Sequence, residues 1–349
     1  MKKVQALKSL GFAKSGKSLP FNLILIAAVC LGIFLALCVG KYPVSFSESL
    51  KIVFYNILGW QGDWDAMTEN VVMGLRLPRV LSAVVIGASL SISGATYQGV
   101  FRNPLVSPDF LGVSAGACVG AAIAILLGFH SLAIQAFALA GGILAVALTT
   151  LLPRLLHSRS AIVLVLSGVI VGGAMGSIMG LLKYIADPTT QLPAITYWQM
   201  GSVANINFRS LAYVLVPMAV SMTVLLGLAW WINILSLGEK DAQALGANVA
   251  QLRGVTILCA TVLTASSVSI SGTIGWVGLV IPHLGRMLIG PDNRRLLPAS
   301  ALLGGLFLLF ADTLGRTIAK TELPLSIITG LIGAPFYAWL LYKNHTRLS

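Results

Sequence analysis

The chain has 349 residues, of which 57% are hydrophobic and 10% charged, with a mean hydropathy of +0.90. Soluble domains carry about 25% charged residues, and a single core cannot grow to enclose this much apolar side chain. A soluble enzyme and a disordered chain are both excluded, and the formal net charge of +12 becomes a question of where a polytopic membrane protein keeps its few charges.

Uncharged runs cover 18–40, 80–101, 110–153, 160–182, 210–238, 254–285, 296–311 and 323–342. A spanning helix needs about 20 apolar residues, so 110–153 and 254–285 are each too long for one span. The first breaks at Gly128–His130, the second around Ser271–Gly275 or near Pro282. The ninth span extends to about Arg316, and the count comes to ten. The uncharged run 188–208 holds Gln191, Pro193, Gln199, Asn205 and Asn207, too polar for lipid, and reads as a loop with an interfacial turn. Backbone groups cannot stay unpaired in lipid, so spans are helices or a closed barrel. Barrel strands would alternate over roughly 10 residues; these longer runs predict an all-α protein.

With ten helices both termini share one side. Fifteen of the 23 Lys and Arg residues fall there, which by the positive-inside rule makes it cytoplasmic, N-in and C-in. Topology thus accounts for the basic balance, with no basic stripe for nucleic acid. The reading in segments is a basic tail at 1–20, one transmembrane domain at 21–342 with a cytoplasmic loop at 236–253, and a tail at 343–349. The run 18–40 exceeds a signal-peptide core and reads as the first span rather than a cleaved leader. Cys30, Cys38, Cys118 and Cys259 lie in spans without metal-ligand spacing and read as packing residues.

Residues 11–18, Gly-Phe-Ala-Lys-Ser-Gly-Lys-Ser, formally match a phosphate-cradling loop. That chemistry needs a strand before the loop and a helix N-terminus after it. Here a basic tail precedes it and a lipid span follows, so it reads as a juxtamembrane anchor. If a nucleotide drives this protein, another chain binds it.

Small residues recur every fourth position in three spans: Gly87, Ser91, Ala95 and Gly99; Gly112, Gly116 and Gly120; and Gly168, Gly172, Gly176 and Gly180. Such ladders let helix backbones approach closely. The first two read as packing seams. The third is widened by Ser167, Gly173 and Ser177, and lines either a subunit interface or a solute pathway.

The segment LRLPRVLSAVVIGASLSISGATYQGVFRNPLVSPDFLGVSAGACVG (75–120), then LGEKDAQALG (237–246), GTIGWVGLVIPHLGRMLIG (272–290), ADTLGRTIAKTELP (311–324) and LIGAPF (331–336) strongly resemble the permease subunit of the iron–siderophore, haem and vitamin B12 class of ATP-binding-cassette importers, the FecCD-type permeases. The resemblance runs from about residue 20 to the end. It implies ten helices, a second permease copy (a homodimer), two cytoplasmic ATPase subunits carrying ATP and Mg, and an external substrate-binding protein. It implies no catalytic residue, metal or cofactor on this chain. Binding-protein docking falls to Arg76, Arg79 and Arg316, whose planar forks grip carboxylates. ATPase coupling falls to Leu237, Gly238, Glu239, Ala242, Leu245 and Gly246 as a short amphipathic helix. The cytoplasmic gate falls to Ser158, Arg159, Ser160, Ala161 and Ile162, and the pathway lining to Ser167, Gly168, Gly172, Gly173, Gly176 and Ser177. The bland alternatives anchor Arg76 and Arg79 at headgroups and pair Arg316 with Asp312 one turn earlier.

Arg102-Asn103-Pro104-Leu105 reads as a structural connection, with Asp109 a candidate cap for the third span, and His283 reads as a packing residue. Trp276 stands where the family usually has phenylalanine, and Ser326 where it has glycine. The solute implied first is a ferric siderophore, with haem, cobalamin or molybdate and tungstate as alternatives. A secondary transporter is the competing class, but it would show intramembrane ionisable relays, and the only acid placed within a span is Asp312, near its outer end. An intramembrane enzyme would need a catalytic pair in mid-span, and the spans show none.

Overall fold

The computed structural model describes residues 18–60, 62–157, 161–318 and 321–345, and every regular element among them is helical. The expected basic tail is therefore described only from Ser18, and Ser158, Arg159 and Ser160 of the expected gate lie outside the described residues.

Helix α1 (Ser18–Cys38) is followed by the short α2 (Phe46–Leu58). Ser45 caps α2 by accepting the Glu48 N–H at 3.2 Å, and Gly59 closes it at φ 70°. Helix α3 then runs unbroken over 36 residues, Ala66–Phe101, about 54 Å at 1.5 Å per residue. It begins well before residue 80, where charge alone places the span. Arg76 and Arg79 do not end it because their heads find partners inside the protein. A π-helical stretch at Asn70–Arg76 accompanies the entry.

A 3-10 turn at Pro108–Leu111 leads to α4 (Val113–Leu126). Gly112 at φ 78°, not Asp109, stands at the N-cap of α4; the Asp109 carboxylate instead accepts the Ser114 hydroxyl. Helices α5 (Ser131–Leu155) and α6 (Ala161–Ile185) follow, with the α4–α5 break where the sequence puts it. The run 188–208 holds a true helix, α7 (Gln191–Gln199). Its polar residues have specific partners: the Gln191 amide donates to the Leu126 carbonyl at 3.1 Å and Gln199 accepts from Lys183 at 2.6 Å. The run 210–238 divides at Leu228 into α8 (Phe208–Gly227) and α9 (Ala229–Leu237), and α10 (Glu239–Ala244) precedes α11 (Val249–Ser271).

The last long run breaks at 272–276, and Pro282 lies inside α12 (Val277–Ile289). The non-helical backbone there is enclosed by protein, as lipid demands. Ser202 N–H donates to Ser271 O at 2.7 Å and Leu325 N–H to Gly201 O at 2.9 Å. The Thr273 hydroxyl donates to Gln199 O and the Ser326 hydroxyl to Met200 O, at 2.5 and 2.6 Å. Ser326 therefore has a bond to make that glycine could not. Helices α13 (Asn293–Thr317) and α14 (Leu325–His345) complete the chain.

Among the described residues seven helices are long and apolar enough to cross a membrane: α1, α3, α5, α6, α8, α11 and α13. Helices α4, α12 and α14 are shorter apolar helices. The interior is built around α3 and α11: the most apolar stretch of α11 is 78% buried, that of α1 only 22%. Hydroxyls join this pair, Ser93 with Thr264 at 2.8 Å and Tyr97 with Thr261 at 2.9 Å. Such bonds average about 0.6 kcal/mol in membranes, so they fix register more than they stabilise.

Candidate functional site

The three small-residue ladders meet different fates. On α3, a Cβ at Gly87 would overlap the carbonyl of Gly304 on α13, and one at Gly304 would overlap Ser91. On α4, Gly116 and Gly120 are closed in the same way by Gly141 and Phe137 of α5. On α6 only the first rungs are closed. Ser167 is 3% exposed and donates to Val163 O at 2.8 Å, and Gly168 lies against the Phe110 carbonyl. Beyond them, a Cβ at Gly172, Gly173, Gly176 or Gly180 would meet no atom within 4 Å. Ser177, on the same stripe, is exposed and donates only to Gly173 O of its own helix, at 3.2 Å. The expected pathway residues thus split into a packed pair and an open face. Of the expected gate, Ala161 begins α6 and Ile162 is 71% exposed.

The three arginines assigned to docking cluster at the end of the bundle opposite α10, with their charged heads turned inward. Arg76 is 6% and Arg316 5% exposed. Arg76 donates to Leu37 O at 2.7 Å and to the carbonyls of Cys38 and Tyr42, while Arg316 donates to Ala36 O. Together they satisfy carbonyls that the end of α1 leaves unpaired. Arg79 forks onto Asp312 at 2.8 and 3.0 Å and reaches Glu322 at 2.8 Å. Asp312 is 1% exposed, and its contact with Arg316 is the longer one, 3.9 Å. Arg76 is turned inward rather than to headgroups, Arg316 does lie against Asp312, and neither head is a free fork. Sequence spacing pointed to Asp312 beside Arg316, but a partnership across 233 residues of chain has no local signal.

At the other end, Gly238 takes φ 118° and ψ 163° to turn the chain from α9 into α10. Within the segment expected as one amphipathic helix, only Glu239–Ala244 is helical as α10, with Ala242 fully buried and Leu245, just after it, 58% exposed. Leu237 closes α9, and Gly246 at φ 83° ends the turn after α10. Glu239 pairs with Arg253 at 3.8 Å, over a cavity of about 430 Å³ that Arg154 and Gln243 also line. His283 packs edge-on against Tyr337. Among the described residues no group of three or more His, Cys, Asp or Glu side chains is placed to hold a metal ion.

The comparisons with known proteins bear on this arrangement. The FecCD transport family matches residues 25–343. The molybdate import system permease protein MolB of Haemophilus influenzae is 39% identical over 325 residues, covering 93% of this chain and 94% of its own. The hemin transport system permease protein HmuU of Yersinia pestis is 38% identical over 301 residues, 82% of this chain and 88% of its own. A solved structure described as an inward-facing metal-chelate type ABC transporter superposes with a TM-score of 0.84 at 37% identity, covering 93% of this chain and 99% of that one. The chain belongs to the FecCD transport family: it is a permease subunit of an ABC importer of the metal-chelate class in the prokaryotic plasma (inner) membrane, a transport subunit and not an enzyme.

Proposed function

We propose that two copies of this chain form the membrane pathway for a bulky metal chelate, a ferric siderophore first. An external binding protein would deliver it, and two cytoplasmic subunits holding ATP and Mg would drive it. In this reading the seven long and three shorter apolar helices make ten spans with both termini inside. Helix α10 sits in an ATPase cleft through Leu245, and the chain at 158–162 gates the cytoplasmic exit. The ends of α3 and α13 opposite α10 form the docking face. Arg79 and the partly exposed Glu322 lie at its rim, and Arg76 and Arg316 brace it from beneath.

The open glycine face of α6 is the observation that carries this proposal. Four glycines and a serine along one stripe offer lipid nothing, but they let a second helix approach closely. A self-complementary patch is what a two-fold dimer uses. From Ile162 to Leu182 the helix has no ionisable side chain, so its wall favours a large solute over a small charged one. The similarity to MolB makes an oxyanion such as molybdate the second reading. Binding of ferric siderophore against molybdate by the partner binding protein separates the two.

The dimer is tested in a variant whose four cysteines are replaced by serine. Gly176→Cys then yields a cross-linked dimer on oxidation and loses ATP-driven uptake in proteoliposomes. Gly227→Cys, at the end of α8 with equally open space, does not cross-link. Equal cross-linking at both sites, or full uptake by a cross-linked Gly176→Cys dimer, would remove the α6 pathway. Uptake driven by a proton gradient without any ATPase would remove the importer reading.

A further inference from the structure

A second cavity at the α10 end, about 480 Å³, lies where the ends of α3, α12 and α13 meet α9. Arg102, Arg286, His283, Asn293, Ser236 and Gln98 line it, and no Asp or Glu does. Arg102 ends α3 in the left-handed region at φ 55°. Its guanidinium lies against Gly238 and makes no hydrogen bond or ion pair among the described residues. Arg286 donates to Gln98, a neutral amide. Asp292 is close in sequence but committed elsewhere, to Arg294 at 2.8 Å and Asn233 at 2.6 Å. His283 Nδ1 and Asn293 Oδ1 are buried without a partner, and Asn293 is only 4% exposed.

Two guanidinium groups and an imidazole therefore face one cavity with no carboxylate in its wall. Arg286 is partly buried without a counter-charge, which is costly, and Arg102 stands exposed at the mouth; an anion in the cavity relieves the cost at Arg286 and pairs with Arg102. The rim shows which anion fits. Met287 lines the cavity and is 45% exposed, and Leu105 and Leu288, each next in the chain to a lining residue, are 51% and 53% exposed. A cationic hollow with an apolar rim, level with the ends of the spans, matches a phosphate that carries acyl chains. We propose that this cavity holds the headgroup phosphate of an anionic phospholipid from the leaflet on the α10 side. Arg102 and Arg286 bind the phosphate oxygens, and the Met287 side of the rim meets the glycerol and upper acyl carbons. Basic hollows between helices at a membrane face are suited to such headgroups. The site does not depend on whether α10 meets an ATPase.

The test uses the full chain in nanodiscs of phosphatidylcholine with a minor share of phosphatidylglycerol. Lipids retained on gentle extraction are counted by native mass spectrometry. The wild type retains phosphatidylglycerol in excess of its share. Arg102→Ala lowers that excess about fivefold, the factor one basic residue contributes at an anionic surface. Arg102→Lys restores most of it, and Lys240→Ala, on α10 outside the cavity, leaves it unchanged. Arg102 makes no internal bond, so its removal spares the fold. Equal retention by wild type, Arg102→Ala and Arg286→Gln overturns the proposal. Displacement of the lipid by millimolar inorganic phosphate assigns the site to a free anion and overturns the lipid source. Weaker ATPase association of Arg102→Ala with unchanged lipid retention assigns the cavity to a protein carboxylate and overturns the proposal as well.

Discussion

The two ends of the bundle treat the same side chain in opposite ways. Opposite α10, Arg76, Arg79 and Arg316 are all used internally: Arg79 on Asp312 and Glu322, the other two on the last carbonyls of α1. This end ties α1, α3 and α13 together through charge-assisted bonds, with one carboxylate, Glu322, left at the rim. At the α10 end, Arg102 and Arg286 face a cavity instead, and Leu245, the residue after α10, stands exposed. One end commits its arginines to internal partners, and the other leaves two of them facing a cavity. The small-residue ladders repeat the contrast within the membrane, α3 against α13 closed and α6 open. Arginine or glycine spacing alone thus does not separate packed from open residues; the presence or absence of an internal partner does.

The sharpest way to break the comparison is Asp312→Ala. It leaves the forked head of Arg79 without its buried partner, and breaking a buried pair from one side costs about 3–5 kcal/mol. We expect a large loss of folded protein in detergent thermal scans. Glu322→Ala removes a partner whose side chain is 36% exposed, and exposed pairs contribute only about 0.2–1 kcal/mol. Similar melting of the two variants would mean that this end is not closed by Asp312. Next in size is the glycine contrast. Gly304→Val forces a side chain into the α3 seam and costs about 1–3 kcal/mol, as overpacking does. Gly176→Val meets open space and leaves the melting of the monomer unchanged while impairing uptake. Equal destabilisation would show α6 to be packed within the chain.

Much of this architecture was legible in the sequence because hydropathy and small-residue spacing are local signals. The break at Gly128–His130 corresponds to an observed boundary, and within the pattern at 237–246 a shorter helix forms at Glu239–Ala244. Two kinds of feature were not legible. One is polarity with a distant purpose: Gln191 and Gln199 read as loop residues until Leu126 and Lys183 supply their partners. The other is charge at a helix entrance. Arg76 and Arg79 mark the edge of lipid by composition, yet α3 begins at Ala66 because α1 and α13 bring carbonyls and a carboxylate to meet them. The cavity at Arg102 and Arg286 was likewise dispersed, over the connection at 102–105 and the segment in which His283 reads as a packing residue. Only folding brings them to one wall.

The smallest effect sharpens the picture of the closed end, where even exposed charge is turned to internal use. Asp187, in the turn from α6 to α7, accepts four bonds, from the backbone and hydroxyl groups of Thr189 and Thr190, at 2.7–3.0 Å. Its backbone carbonyl receives the Leu192 N–H at 2.9 Å. The Thr189 hydroxyl above all, then Thr190, holds its carboxyl at about 2, below the ordinary 3.8. A depressed carboxyl stabilises its turn fully above the ordinary value, and that contribution fades as pH falls from about 4 towards 2. Hydrogen exchange in Gln191–Ile195, corrected for intrinsic rates, should therefore quicken on going from pH 5 to pH 3 while that of α11 does not. Asp187→Asn keeps an acceptor but no titrating proton, so its exchange should be flat over the same range. The same acceleration in that variant would mean that α7 is held from elsewhere, through Gln191 and Gln199, and that the turn contributes nothing of its own.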